Sequence, residues 1–345
     1  MEIGVYSFGS VQRRADGTLA STAEAIRDLV EVIRFADDVG LDYFGVGEHH
    51  TRTMPVSSPI TVIAAAAAVT KQIRLGSTVT VLSTDDPVRV YQQHATASAI
   101  SGGRVDLTAG RGSSIDSFPL FGYDVADYDQ LYADKLELLL AINSSERVTW
   151  SGTTRPPLHD ALVVPRVEGG LKIWLGTGGN PGSSVRAGLL GLPIAYGILG
   201  GTTDHWVRQA DLYRQTAAHA GHDESVVDIG VASHGFVATN DADAKERFYR
   251  YESAAFATHA RERGAATGGR DRASFERDSG PGGMIFAGSA DEIADRLVAF
   301  HRQLGHSRHI LQMDLGHIPK HELLEAIELL GTVVAPRVRD ALQTT

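Results

Sequence analysis

The chain of 345 residues contains no cysteine. That absence removes disulfides, thiolate metal sites, a cysteine nucleophile and any cofactor tethered through sulfur. Positive charge is in deficit, with 32 Lys and Arg against 42 Asp and Glu and a formal net charge of -10. No Lys/Arg-rich run offsets it, so a nucleic-acid binder, which needs a basic stripe to displace counterions, is excluded. Long apolar runs are missing as well. The longest largely apolar stretch, Ile60–Val69, is mostly alanine and falls short of the ~20 residues that span a bilayer. The opening residues MEIGVYSFGSVQRR have neither the basic start nor the apolar stretch of a secretory signal. These absences describe a cytoplasmic protein with no membrane and no nucleic-acid partner.

What is present alternates. Ile3–Phe8 is a short β-prone run. Ser21-Thr22-Ala23-Glu24 has capping-box spacing and opens a helix with Ile26, Leu29, Ile33, Ala36 and Val39 at helical intervals. Strand expectations follow at Leu41–Gly47, Ile73–Leu82, Val105–Ala109, Lys172–Leu175, Pro193–Ile198, Val227–Thr239 and Ser307–Met313. Helices are expected between them, several with start signals: Ser58-Pro59, Asp86-Pro87 and Ser289-Ala290-Asp291-Glu292. The last helix is expected within Pro319–Leu342. Two stretches break the rhythm. Residues 144–170, rich in Pro and Gly, read as a surface excursion. Residues 261–283, rich in Arg, Gly and Asp, read as a candidate active-site lid.

Eight strands, each followed by a helix, predict a parallel sheet with right-handed crossovers. The simplest closure is one α/β domain over residues 1–345, a (β/α)₈ TIM barrel with insertions. An open doubly wound sheet is the alternative. Such a sheet usually carries a glycine fingerprint after its first strand, and Gly9-Ser10-Val11-Gln12-Arg13-Arg14 does not match it.

In such barrels the chemistry sits on loops at the C-terminal ends of strands. After the second strand comes Glu48-His49-His50. An imidazole there can act as base or donor, although a surface or half-buried His pair is the plain alternative. A metal is not expected: neighbouring strand residues point to opposite faces, and no HxH or HExxH pattern completes a site. After the third strand Asp86 reads as a helix cap. After the fourth, Arg111 stands between Gly110 and Gly112. It can grip a phosphate with paired donors or form an ordinary loop ion pair. After the fifth comes Gly176-Thr177-Gly178-Gly179-Asn180-Pro181-Gly182-Ser183-Ser184. This glycine-rich entry to a helix offers amides to an anion, or is a flexible turn. Tyr6, Phe8, Phe118, Tyr196 and Ile198 suit a pocket wall or the core equally well.

Taken in order, the chain resembles the bacterial luciferase-like flavin-dependent monooxygenase superfamily. The resemblance rests on Gly45-Val46-Gly47-Glu48-His49-His50, on Arg74–Arg89, on Ser101-Gly102-Gly103-Arg104 with Ala109-Gly110-Arg111-Gly112, on the loop after strand five with Gly191-Leu192-Pro193, and on Phe286-Ala287-Gly288-Ser289. It implies FMN, or in some branches a deazaflavin, at the strand ends. By position, His49 is the active-site histidine. Arg111 would hold the flavin phosphate, with Gly178, Gly179, Asn180 and Ser183 as further donors. The Thr78–Val79 peptide aligns with a non-proline cis bond beneath the flavin ring. The chain departs from the pattern at Asp86, where a His often stands, and at Gly179, where an acidic residue is frequent; both concern the ring and substrate contacts.

The function implied is a two-component monooxygenase that takes reduced FMN from a separate flavin reductase and acts with O₂ on a small organic substrate. A homodimer or higher homo-oligomer is implied too. A deazaflavin-dependent hydride-transfer oxidoreductase on the same barrel is one alternative. A non-catalytic flavin-binding protein is another, and a hydrolase barrel a weaker one for want of ligands.

Overall fold

In the computed structural model, which describes residues 1–112, 116–262 and 268–343, strands and helices alternate as the pattern requires. The first half holds β1 (Glu2–Ser7), α1 (Thr22–Asp38), β2 (Tyr43–Val46), α2 (Pro59–Val69), β3 (Arg74–Ser77), β4 (Thr80–Val81), α3 (Pro87–Ser101), β5 (Val105–Gly110), α4 (Ser117–Leu120) and α5 (Tyr128–Ser144). The second holds β6 (Arg147–Trp150), β7 (Leu158–Leu162), β8 (Ile173–Thr177), α6 (Pro181–Leu190), β9 (Ile194–Ile198), α7 (Thr203–His219), β10 (Ile229–Ala238), α8 (Asp241–Glu262), α9 (Arg272–Ser279), β11 (Phe286–Ser289), α10 (Ala290–Leu304), β12 (Arg308–Gln312), α11 (Lys320–Leu329) and α12 (Ala335–Gln343).

Local chemistry sets the helix starts. Ser21 and Glu24 exchange side-chain and backbone hydrogen bonds as a full capping box on α1. Asp86 accepts from the amides of Val88 and Arg89 to begin α3, and Asn180 accepts from Gly182 N to begin α6. Ser289 accepts from Glu292 N, while its own amide donates to Asp241 instead of closing a box. Ser58 precedes α2 without a side-chain cap bond; its hydroxyl meets Thr61. On α1 the buried stripe is Ala25, Leu29, Val32, Ile33 and Ala36. Ile26, expected on that stripe, lies at its exposed edge.

The strands close. All pairs in the ring are parallel, running β1-β2-β3-β5-β8-β9-β10-β12 and back to β1. The expected third strand, Ile73–Leu82, is divided. β3 pairs with β2 and the start of β5, β4 with the end of β5, and a cis peptide joins Thr78 to Val79 between them. β11, unanticipated from the sequence, extends the upper part of β10 outside the ring. The excursion at 144–170 contains an antiparallel hairpin, β6 and β7. The loop joining its two strands carries Arg155, which reaches Asp86 at the start of α3. The candidate lid at 261–283 falls partly outside the described residues; its described part contains α9, capped by Asp271. The final helix is interrupted by a π-helical turn at Leu330–Val334.

Period-two alternation sorts the strand residues. Outward residues such as Val5, Phe44, Leu107, Val231 and Leu311 join the main core under the helices. Tyr6, Tyr43, Ala232 and Ile310, with Phe8, form a separate cluster inside the ring. Below them the lumen is filled by a charge. The Arg308 guanidinium lies 3.8 Å over Tyr43 and 4.7 Å over Trp174. It bonds Asp106 at 2.8 Å and Glu2 at 2.5 Å, and Arg74 bonds the other oxygen of Asp106. Burial opposes the charge on Arg308, yet Tyr43, Asp106 and Glu2 hold its pKa above the ordinary value. The barrel floor is therefore shut by a satisfied ion network.

One buried titratable group outside the lumen gives a stability test. His94 on α3 is buried, its Nδ1 2.8 Å from the Val90 carbonyl. Burial lowers its pKa from 6.5 to about 4. Above pH 6.5 both folded and unfolded chains hold it neutral. As pH falls from 6.5 to about 4 the unfolded chain takes up a proton that the folded one does not, so stability is lost at up to about 1.4 kcal/mol per pH unit. Urea unfolding of His94→Met between these limits is expected to show a shallower loss than the wild type; an unchanged slope would contradict the assignment.

Candidate active site

At the C-terminal rim the inward positions change character. Opposite Phe8, just past β1, and His234 and Gln312 on β10 and β12, the residues are glycines. Side-chain atoms at Gly110 and at Gly176 would strike the Val79 side chain. One at Gly45 would strike the Thr78 hydroxyl, and one at Gly47 the Phe8 ring and the Thr78 carbonyl. These four glycines make the room into which Thr78 and Val79 are pushed. The Thr78 amide donates to Val46 O at 2.8 Å, and Glu48 Oε2 accepts from Val81 N at 3.0 Å. The segment thereby forms a fixed floor across the upper lumen.

Around this floor the tandem histidines separate. His50 turns to Glu48, 3.1 Å away, and to Phe121. His49 turns to the mouth. Its ring meets Phe8 edge-on with centroids 4.6 Å apart and faces His259 of α8 at 6.5 Å. Phe8 in turn contacts Tyr6. Below, Asp314 accepts from the Ser7 hydroxyl at 2.5 Å and from Ser10 N at 3.3 Å, which anchors the loop that carries Phe8. Burial raises the Asp314 pKa.

Helix α8 covers the mouth. Glu252, Phe256 and His259 recur at helical spacing, one face of the helix. Glu252 bonds lumen-facing His234 at 2.7 Å, Phe256 lies 6.1 Å from the same imidazole, and His259 meets His49. Arg270 adds a contact to Glu252 at 3.5 Å and bonds Asp278 of α9.

The second part of the site lies over β5 and β8, which are neighbours with Ala109 opposite Leu175. Arg111 and the glycine-rich loop therefore leave the same rim side by side. Arg111 bonds exposed Asp129 at 2.7 Å and lies 5.2 Å over the Tyr128 ring. Arg186, on α6, lies 5.5 Å over Tyr132. Burial raises the Tyr132 phenol, and the charges of Arg186 and Arg111 both act to lower it. Gly178 borders open space, with nothing within 4 Å of a side chain placed there. Gly179 has φ +95°, a left-handed conformation that favours glycine, and its amide donates to Thr177 Oγ1. Asn180 is engaged as the α6 cap. Ser183 is buried, with its amide on Asn180 O. Ser113 and Ser114 lie outside the described residues.

Of the aromatic wall candidates, Tyr6 and Phe8 line the lumen. The others are core. Phe118 is buried and stacks on Tyr128. Tyr196 points outward, with its hydroxyl on Ser184 and on the Gln209 carbonyl, and Ile198, two residues on, shares that face. Sequence reasoning missed Arg186, His234, Glu252, Phe256, His259 and Arg270. The signal for His234 was its step of two from Ala232, and that for the roof was the 252-256-259 spacing. Among the described residues no group of three or more His, Asp or Glu forms a metal cluster.

A model of the family described as luciferase-like monooxygenase matches residues 1–307. A 4-hydroxyprotoasukamycin monooxygenase of Streptomyces nodosus subsp. asukaensis is 28% identical over 335 residues, 92% of this chain and 87% of that protein. An F420-dependent glucose-6-phosphate dehydrogenase of Amycolatopsis mediterranei is 29% identical over 161 residues, 44% of this chain and 48% of that protein. Among solved structures, a monooxygenase from Streptomyces bottropensis superposes with TM-score 0.82 at 20% identity, covering 97% of this chain and 99% of that one. The oxygenating constituent of 3,6-diketocamphane monooxygenase from Pseudomonas putida, in complex with FMN, superposes with TM-score 0.74 at 22% identity, covering 98% and 99%.

The glycine contacts separate two kinds of position. Gly110→Ala forces its new methyl against Val79 and is expected to cost about 1–3 kcal/mol in urea unfolding. Gly178→Ala points into open space and should stay within about 0.5 kcal/mol of the wild type.

Proposed function

The chain belongs to the luciferase-like monooxygenase family, and from that premise we propose that it is a flavin-dependent monooxygenase using reduced FMN, delivered by a separate reductase, and O₂ on a small organic substrate. The observation that carries this reading is the pairing of β5 with β8, which brings Arg111, over the Tyr128 ring, and the glycine-rich entry to α6 to one rim, with Arg186 of α6 over Tyr132 of the same helix as Tyr128. A phosphate is the anion suited to these guanidiniums, and the start of α6 adds a favourable dipole. The donor set fits FMN: an exposed carboxylate, Asp129, holds Arg111 and is readily displaced by a better anion.

Arg111 and Arg186 would hold the phosphate, with Gly178, Gly179, Asn180 and Ser183 shaping its cradle. The Thr78–Val79 floor would support the flat ring. When bound, the reduced flavin supplies the electrons that activate dioxygen and so brings an oxygen atom to the substrate. His49 stands at the rim beside Phe8, where its imidazole holds or moves a proton. The α8 stripe of Glu252, Phe256 and His259 shields the mouth from water. A homodimer, implied by the family, and a cytoplasmic location accompany this reading.

A deazaflavin would use the same anion contact for hydride transfer. Coverage favours the monooxygenase reading: the hydroxyprotoasukamycin monooxygenase aligns over 92% of the chain and the F420-dependent relative over 44%. Titration of the protein with reduced FMN, FMN and F420, followed by fluorescence or absorbance, tests the choice. Preferential binding of reduced FMN is expected, and preference for F420 would overturn it. Arg111→Ala should weaken FMN at least about tenfold. Asp129→Asn, which removes the competing carboxylate, should tighten it.

A further inference from the structure

We propose that His234 is the substrate-side base of the mouth, held by Glu252 so that its Nε2 takes the proton of a phenolic or enolic hydroxyl on the substrate. The proposal rests on the flavin reading for the reaction it serves, and on the lumen geometry for the residue it names.

His234 lies on the inward face of β10, two residues above Ala232 of the interior cluster, and is paired across the sheet with Gln312 of β12. Its Nδ1 is 2.7 Å from Glu252 Oε1. An ionised carboxylate has only acceptors, so Nδ1 carries hydrogen and Nε2 presents a lone pair. Glu252 has no exposed surface. Its charge is countered by Arg270, which is itself held by Asp278. Burying such a trio gains little stability over apolar side chains of similar volume. What it does provide is an imidazole in one tautomer, backed by a fixed negative charge that stabilises the imidazolium. The groups facing His234 are Glu252 and Phe256 from α8, Arg270 beyond it, and Gln312 from β12. His49 is a separate group, after β2, the third strand around the ring from β10.

Aromatic rings at the mouth, Phe256 beside His234 and Phe8 beside His49, suit a flat conjugated substrate. The step is a proton transfer. The substrate O–H bond breaks, an N–H bond forms at Nε2, and the bonding pair stays on the substrate oxygen. The products are an oxyanion and an imidazolium paired with Glu252. An oxyanion enriches the adjoining carbons in electrons, which favours their oxygenation. Glu252 is a positioning residue that acts through His234.

The test uses 4-nitrophenol and 4-nitroanisole, which differ by the acidic hydroxyl, with the whole protein at a pH where free 4-nitrophenol is mostly protonated. The wild type is expected to bind 4-nitrophenol as its yellow phenolate, about tenfold or more tighter than 4-nitroanisole. His234→Gln keeps polarity but takes up no proton; it should bind both probes equally and give no phenolate colour. Glu252→Gln should lower the phenolate fraction severalfold while leaving 4-nitroanisole binding unchanged, a split that loss of structure would not produce. Absence of 4-nitrophenol binding to the wild type, equal affinity for both probes, or phenolate colour surviving in His234→Gln overturns the proposal. FMN titration of the same samples keeps the two readings apart. Failure of FMN to bind counts against the flavin function and leaves the nitrophenol result to decide on His234.

Discussion

A closed eight-stranded barrel has to fill its own lumen, and this one fills it unevenly. The lower half is packed by Arg308 with Tyr43, Trp174, Asp106 and Glu2. The middle holds Tyr6, Ala232 and Ile310. In the upper half the inward positions of β2, β5 and β8 are glycines, and the space they leave admits Thr78 and Val79. The break of the third strand into β3 and β4 is thus coupled to glycines on three other strands. A methyl group on any of them would contend with that floor.

Above the floor the site has two sides with different physics. Over β5 and β8 the character is cationic: two guanidiniums, an open glycine step and a capped helix start. Over β10, β12, β1 and β2 it is aromatic and imidazole-rich, with Phe8, His49 and His234 beneath the α8 stripe. The separation suits a molecule with an anionic tail and a flat body, leaving the histidine side to meet whatever the flat body reacts with. The roof is fastened by charge. Glu252 reaches His234 and Arg270, while Arg247 and Tyr251 hold Glu322 on α11. These buried or half-buried pairs fix α8 over the rim more directionally than apolar contact would.

The alternation of strand and helix was legible because each start carries its own chemistry. Ser21 with Glu24, Asp86 before Pro87 and Ser289 with Glu292 act within three residues of themselves, and the structure keeps all three as caps, whereas Ser58 makes no cap bond. Family-like motifs located Arg111, the glycine loop and the Thr78–Val79 bond, and these meet at one rim. Less legible were features set by distant partners. Tyr196 suited a pocket wall until its hydroxyl was found on Ser184 and Gln209, outside the barrel. Arg186 was an ordinary helix residue until α6 carried it over Tyr132.

By itself the sequence determined the barrel, its rim loops and the residues available for chemistry there, because periodicity and capping are local and their energies need no distant partner. Only the tertiary structure decided which of those residues share a space. That β10 extends past the rim and that α8 turns across the mouth depend on pairings such as His234 with Glu252, separated by 18 residues, and His49 with His259, far apart in the chain. Such contacts are chosen by the closure of the whole ring, which brings β12 to β1 and sets the roof above the floor.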